Sequence, residues 1–551
     1  MTYDAVIVGS GPGGATVADS LSAAGWSVLL VDKGRNHLLD PDDLTTLASD
    51  YSNDEIKFLC RHFLGPDPLI EPRTFRTGAE EGDHSHVGEV NSIPTTVGGG
   101  GTHADGKVPR FREEDFALRE TYGPIDGAAV EDWPIGYGDL EPFYAEVERA
   151  IGVAGDTGAN PFAAWRSSPY PMAPGAPMYG ALRSSAAAER LGFHPYAAPT
   201  AANSVPYDGR PACNNCGFCA FFGCPIHAKG DPVALLRRAF ATGNVALAAE
   251  TFCARVVTDG SRATGVELVD PDGARRIVGA RHVVVAAGAI ETPRLLLLSG
   301  FEHPFVGRHL MVHFQTIAIG SFDERFHTHR GRAVTHVHDD AIIVDDDARN
   351  AARGAGLPWI RGGMVEHGGP SLPIMEAKLY PWGETHKQLM RSSFMRDKLW
   401  AFTMQGEDLA QVTNRVDLDP TIRDVRGYPV ARVTYRPHRH EVVASSHHGP
   451  RLVGVLEAMG ATWTMVATSP GLEGSRMSPI PISRHVMGTT RMGYEPSTSV
   501  VDPHGRVHGF ENLVVADSSV FVTSAGYGPT LTLVALAARA AAAMIGSTRP
   551  I

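Results

Sequence analysis

The chain is poor in cysteine, with six in 551 residues, which excludes a disulfide-built secreted scaffold, where cysteines are spread through a short chain. Long apolar runs are missing too. No segment carries the roughly 18 consecutive apolar residues that span a bilayer. The best candidate, Leu531 to Ile545, is Ala-rich and too short, and it reads as a buried helix. Positive charge is in deficit: 49 Lys and Arg against 61 Asp and Glu leave a formal net charge of −12, which argues against a nucleic-acid binder. Interaction tails of like charge, internal repeats and low-complexity linkers are also absent. Met1-Thr2-Tyr3-Asp4 leads straight into a strand without the basic start of a signal peptide. The expectation is a cytoplasmic protein, unless it is exported with a signal-bearing partner.

What is present looks globular. Hydrophobic residues make up 43% of the chain and charged residues 20%, enough to build a sizeable core. The N-terminus holds the first pattern with chemical content. Ala5-Val6-Ile7-Val8 is a β-branched run of strand length, followed at once by Gly9-Ser10-Gly11-Pro12-Gly13-Gly14 and by helical spacing through Val17, Leu21 and Ala24. A second strand, Ser27 to Val31, ends at Asp32. Strand, Gly-rich turn, helix, strand and acidic residue make the dinucleotide fingerprint. Gly9 allows the tight turn, Gly11 lets backbone N–H groups approach a pyrophosphate, and Gly14 lets the helix sit close on the strand. The helix N-terminus favours phosphate charge, and Asp32 accepts from ribose hydroxyls. FAD and NAD share this fingerprint, so it does not choose between them.

Four of the six cysteines fall in one short run, Cys213-Asn214-Asn215-Cys216-Gly217-Phe218-Cys219 through Cys224-Pro225. The spacing C-x2-C-x2-C-x4-C-P is one residue longer in its last gap than the bacterial ferredoxin run. It leaves three readings open: an iron–sulfur cluster, a structural zinc site, or reduced thiols with or without a local disulfide. Cys60 and Cys253 stand alone and read as buried packing residues.

Further segments are scattered over nearly the whole length. They are Val97-Gly98-Gly99-Gly100-Gly101-Thr102-His103 with Val108-Pro109-Arg110-Phe111; Trp133-Pro134-Ile135 with Leu140-Glu141-Pro142-Phe143-Tyr144; and Val283-Val284-Val285-Ala286-Ala287-Gly288-Ala289-Ile290-Glu291-Thr292-Pro293-Arg294. The C-terminal block runs His485-Val486-Met487-Gly488-Thr489-Thr490-Arg491-Met492-Gly493, then Val500-Val501-Asp502, Val514-Val515-Ala516-Asp517 and Pro529-Thr530. In order and spacing these segments resemble the glucose–methanol–choline oxidoreductase family of flavoproteins.

The resemblance implies an α/β fold: a Rossmann-like FAD-binding domain from residues 1–111, 201–310 and 483–551, and a discontinuous substrate domain with an antiparallel sheet from 112–200 and 311–482. Alternating stretches such as Arg415 to Asp419 and Val430 to Tyr435 suit half-exposed strands of that sheet. The resemblance also implies FAD as cofactor, with Gly99, Thr102, His103, Asp517, Pro529 and Thr530 beside it. His103 stands where some members attach the flavin covalently and others do not. His485 stands at the position of the catalytic base, and a histidine tuned near neutral pH suits removal of a hydroxyl proton. The family's second polar residue, Asn or His before Pro-Thr, is replaced here by Gly528. Tyr527, a water or a substrate-domain residue is left to supply its hydrogen bond.

The expected activity is oxidation of an alcohol group of a sugar, glycoside or polyol, or of a non-sugar alcohol. Oxygen or a redox partner protein would accept the electrons, and a small partner subunit would suit an exported form. The alternatives are a non-redox, lyase-type member of the fold and an electron-transfer subunit without a substrate. Some bacterial sugar dehydrogenases of the family carry an iron–sulfur cluster beside a stretch similar to Cys224-Pro225-Ile226, which makes Cys213, Cys216, Cys219 and Cys224 the candidate ligands.

Overall fold

The computed structural model describes residues 2–48, 67–88, 90, 93–217, 219, 223–328, 330–368, 382–392, 395–468, 480–481 and 483–547; Cys60 lies outside them. The first sheet grows from the N-terminal strand Thr2–Val8. Its apolar residues Ala5, Val6 and Ile7 are fully buried, as in a parallel strand covered on both faces. It pairs in parallel with Val28–Val31 on one side and with the second half of Arg275–Val285 on the other. Val245–Ala248 continues the sheet beyond Val28–Val31, and Leu513–Val515 adds in parallel to Arg275–Val285. The first half of Arg275–Val285 instead joins an antiparallel meander with Arg262–Val269 and Phe252–Asp259.

Two helices cover this sheet and pack on each other: Pro12–Ala23, with Pro at its first position, and Thr530–Met544. Leu531, Ala535 and Ala541 of the second helix are fully buried. The Ala-rich C-terminal segment is therefore the core helix expected of it, and among the described residues no helix is long and apolar enough to cross a membrane.

A second sheet is antiparallel throughout. Its six strands run in the order Trp463–Thr468, Phe314–Ser321, Leu399–Gly406, Val365–His367, His336–His338 and Tyr196–Ala197. The strand Phe314–Ser321 alternates strictly between buried and half-buried residues. Thr316 and Ala318 are buried, and the helix Arg439–Ala458 packs on this strand. Gln315, Ile317 and Ile319 line a cavity on the other face. One face of the sheet is thus core and the other is a wall.

The pair Arg415–Arg423 and Pro429–Thr434 forms, but it does not join that wall. It builds a separate four-stranded sheet with Thr74–Arg76 and His86–Val87 from the first part of the chain. Val430 to Thr434 are all buried where half-exposure was expected, because helix Gly288–Leu298 packs on both strands of the pair and Thr74–Arg76 adds at its edge.

Candidate active site

A cavity of about 790 Å³ lies between the parallel sheet and the antiparallel wall. That is within the usual range for ligand sites. At one end stands the Gly-rich turn. Gly9 sits at φ +103°, a conformation that favours glycine, and its N–H donates to Val31 O at 2.8 Å. A Cβ on Gly14 would stand 1.8 Å from Gly9 O, and one on Gly13 would stand 1.8 Å from Ala516 O. The close approach of helix to strand therefore forbids side chains at both. The second Gly-rich segment folds as a 3-10 turn, Gly99–His103, pressed against the first: a Cβ on Gly99 would lie 2.9 Å from Gly11 Cα. Thr102 and His103 are buried in that turn, and His103 lines the cavity. Lys229 locks it from behind, its ammonium donating to Thr102 O at 2.7 Å and Ala104 O at 2.8 Å.

Asp32 ends the second strand and lines the cavity. Its carboxylate accepts from Ser10 Oγ at 2.5 Å, Ser10 N at 3.0 Å and Gly34 N at 2.7 Å. Burial pushes its pKa up against these hydrogen bonds. Asp517 is buried at the start of helix Gly288–Leu298, accepting from Gly288 N at 2.9 Å, Thr292 Oγ1 at 2.5 Å and Ser519 N at 2.8 Å. Pro529 and Thr530 open the C-terminal helix and line the same cavity.

The far end of the cavity holds His485, half-buried, with its remaining surface on the cavity. Burial first, then His313, Lys107 and Arg484, hold its pKa well below the ordinary value, against a pull the other way from Asp105. Its imidazole is therefore neutral at pH 7 and free to take a proton. Gly528 lies beside it: a Cβ there would sit 3.9 Å from His485 Nε2. Tyr527 does not line the cavity. Its hydroxyl donates to Asp339 Oδ2 at 2.8 Å inside the core, so it does not stand in for the missing polar residue. A histidine does adjoin His485, on the other edge of its ring: His313, Nδ1 to Nδ1 at 3.0 Å.

Models of the GMC oxidoreductase family match residues 178–315 and 410–537. The chain is similar to 2-methyl-1,2-propanediol dehydrogenase of Mycolicibacterium austroafricanum, at 29% identity over 98% of this chain and 94% of the relative. It is similar to the fructose dehydrogenase large subunit of Gluconobacter japonicus, at 28% identity over 100% and 99%. Among solved structures, pyridoxine 4-oxidase from Mesorbium loti has the same fold, with TM-score 0.61, 17% identity and 98% of both chains covered. The chain belongs to the GMC oxidoreductase family. It is an FAD-dependent oxidoreductase, and the residues present fit that cofactor: two abutting glycine turns without room for side chains, and a carboxylate at the end of the second strand.

In this GMC oxidoreductase the cavity has a polar wall that sequence reasoning missed. Lys107 Nζ lies 2.5 Å from Asp105 Oδ2 and 2.8 Å from Glu366 Oε2. Gln405 donates to Glu366 Oε1 at 2.9 Å, and Gln315 donates to Gln405 Oε1 at 3.0 Å. Burial alone would lower the Lys107 ammonium, but the two carboxylates hold it above its ordinary value. Burial raises Glu366, whereas Lys107 keeps Asp105 low. Asp105-Gly106-Lys107, two charges flanking glycine just after the Gly-rich turn, was the one local signal for this wall.

The cysteine run passes behind the 3-10 turn, on the chain that leads to Lys229. Cys213, Cys216 and Cys224 are half-buried, Cys219 is buried, and all four are free thiols. Among the described residues no three of the four sulfur atoms lie within 4.8 Å of one another. Burial pushes the Cys219 thiol up to about 12, and the neighbouring cysteines add to the shift. As placed, these donors do not gather around a single metal ion, as a structural zinc site would need.

Proposed function

We propose that this enzyme oxidises a hydroxyl of a sugar, glycoside or polyol to a carbonyl, with His485 as the base. The observation that carries the reading is a half-buried histidine on the same cavity as the two glycine turns, beside a wall of hydrogen-bonding side chains. Gly9, Gly11, Gly14 and Asp32, with Gly99, Thr102 and His103 and with Asp517, Pro529 and Thr530, would hold FAD. When bound, FAD takes up the hydride that leaves the alcohol carbon with its electron pair as the carbonyl forms. His485 accepts the hydroxyl proton. Asp105, Lys107, Glu366 and Gln315 offer both donors and acceptors to the other hydroxyls of a polyol.

The names of the relatives, a diol dehydrogenase and a fructose dehydrogenase large subunit, support a polyhydroxylated substrate. The second name also supports a partner subunit. The alcohol chemistry proposed here is the same with or without an iron–sulfur cluster on Cys213, Cys216, Cys219 and Cys224.

The test is an anaerobic panel of sugars, glycosides and polyols followed in the visible spectrum. Bleaching of the flavin by a polyol, with a carbonyl product in equal amount, is the expected result. A flavin that stays oxidised while a substrate is consumed would replace this reading with a lyase.

A further inference from the structure

We infer that His313 is a positioning residue that fixes the proton of His485 on Nδ1 and leaves Nε2 bare toward the cavity. The inference rests on the reading of His485 as the base and adds to it which nitrogen does the work.

The argument starts from the backbone. The two-residue strands Met311–Val312 and Val486–Met487 pair antiparallel, with Val312 opposite Val486. His313 and His485 are the next residues out on their two strands, so the register delivers them side by side. Their rings meet edge to face, centroids 5.0 Å apart at 89°, with the two Nδ1 atoms 3.0 Å apart. His313 is fully buried, and its Nε2 lies 3.1 Å from Ser524 O. A carbonyl oxygen only accepts, so His313 Nε2 carries a hydrogen. Burial holds the pKa of His313 at about 4, so its ring is neutral at pH 7 and its Nδ1 carries a lone pair. The single hydrogen between the two Nδ1 atoms then belongs to His485. His485 Nε2 is left as an acceptor on the side of Gly528, the place where other family members put a polar side chain.

The anchor of this relay is itself fixed. Ser524 Oγ accepts from Asp408 N at 2.8 Å, and the Asp408 carboxylate accepts from Val312 N, so the loop and the strand are held by one residue. The charged groups around His485, namely Lys107, Arg484 and Asp105, reach it by electrostatics and do not occupy its Nδ1. With no polar side chain at Gly528 to orient the base from the substrate side, His313 orients it from behind.

The experiment compares His313→Leu, His313→Gln and His485→Gln in the FAD-loaded enzyme. It measures flavin reduction and records ¹⁵N-histidine spectra in which the His485 signals are assigned by their loss in His485→Gln. In wild type, His485 should show a protonated Nδ1 and a bare Nε2. His313→Leu should lower kcat by about 100-fold with KM within about threefold, the pattern of a base in the wrong tautomer. His313→Gln, whose amide can donate to Ser524 O and accept from His485, should recover to within about tenfold of wild type. A wild-type spectrum with the proton on His485 Nε2 would overturn the inference. So would a His313→Leu enzyme with wild-type kcat, or equal losses in the Leu and Gln variants. A His485→Gln enzyme that reduces flavin normally would instead overturn the assignment of the base.

Discussion

At the scale of single residues, the proposed chemistry turns on a histidine kept neutral and a wall kept polar. His485→Gln keeps a polar group of similar reach but cannot accept the hydroxyl proton. FAD should stay bound while the rate of flavin reduction falls by about 10²–10⁴-fold, read by stopped-flow spectroscopy. On this proposal the neutral form is the active one, and the pKa of His485 is held below 6.5. Reduction should therefore be flat from about pH 7 upward and be lost only as pH falls through the depressed value. Glu366→Gln tests the wall. It removes one charged partner of Lys107 and one charged acceptor for substrate, so KM should rise by about 10- to 100-fold with a smaller change in kcat.

These residues divide sharply in how legible they were. Gly9, Gly14, Asp32 and His485 stand in local motifs whose spacing points to the roles proposed for them. His313 lies between two strands and Glu366 within the short strand Val365–His367, 172 and 39 residues from the partners they meet, His485 and Gln405. Only the folded sheet register brings them together, and no local pattern records it.

At the scale of elements, short connecting segments carry the site and regular elements aim it. The parallel strands were readable because burial on both faces leaves continuous apolar runs, and the fingerprint helix because Gly and Pro punctuate its start. The four-stranded sheet was not readable. Thr74–Arg76 pairs with Arg432 to Thr434 across more than 350 residues, and nothing in either segment names the other. The cysteine run was readable as a cluster of thiols but not in its geometry, because x2 and x4 gaps fit a cage and an open loop equally well.

As placed, the run makes a graded set of thiols. Cys213 and Cys216 are half-buried and solvent can reach them, whereas burial raises Cys224 and pushes Cys219 and Cys253 up to about 12. Thiolate is the reactive form, so a disulfide reagent on the native enzyme should modify Cys213 and Cys216 in a fast phase and Cys219 and Cys253 far more slowly. The Cys213→Ser and Cys216→Ser variants should each remove one equivalent from the fast phase. Stoichiometric iron and sulfide in enzyme prepared without air would show that the four thiols hold a cluster, and the free-thiol reading would fall.

At the scale of the whole molecule, distant parts of the chain are tied together by a buried ion network on the cavity wall. Arg294, in helix Gly288–Leu298, pairs with Glu71 at 3.0 Å, Glu291 at 3.2 Å and Asp424 at 2.8 Å, and it is almost wholly buried. Lys33 bridges Glu71 at 2.8 Å and Glu291 at 2.9 Å, and Arg73 also pairs with Glu291. One guanidinium thus joins a loop of the first hundred residues, the central helix and the hairpin that follows the polar wall.

Replacing Arg294 with Met preserves bulk but leaves three buried carboxylates short of a cation. Breaking a buried pair in this way costs about 3–5 kcal/mol. The pH dependence carries the same signature. Lys33, Arg73 and Arg294 hold the Glu291 carboxyl well below its ordinary range despite burial, and Glu71 is lowered by the same cations. A carboxylate lowered in the folded state contributes stability above its unfolded pKa of about 4.3, and that contribution fades as pH falls through the folded value. In Arg294→Met the two glutamates lose part of that support, so their folded pKa values rise toward or above the unfolded value and the variant has less stability to lose on acidification. Urea unfolding of FAD-saturated enzyme should therefore show the largest wild-type advantage at pH 7 and a shrinking one toward pH 4, where protonation spares the variant its unpaired charges. An advantage that stays constant over this range would mean that Arg294 acts through packing alone, and the network would then be incidental to how the parts are held together.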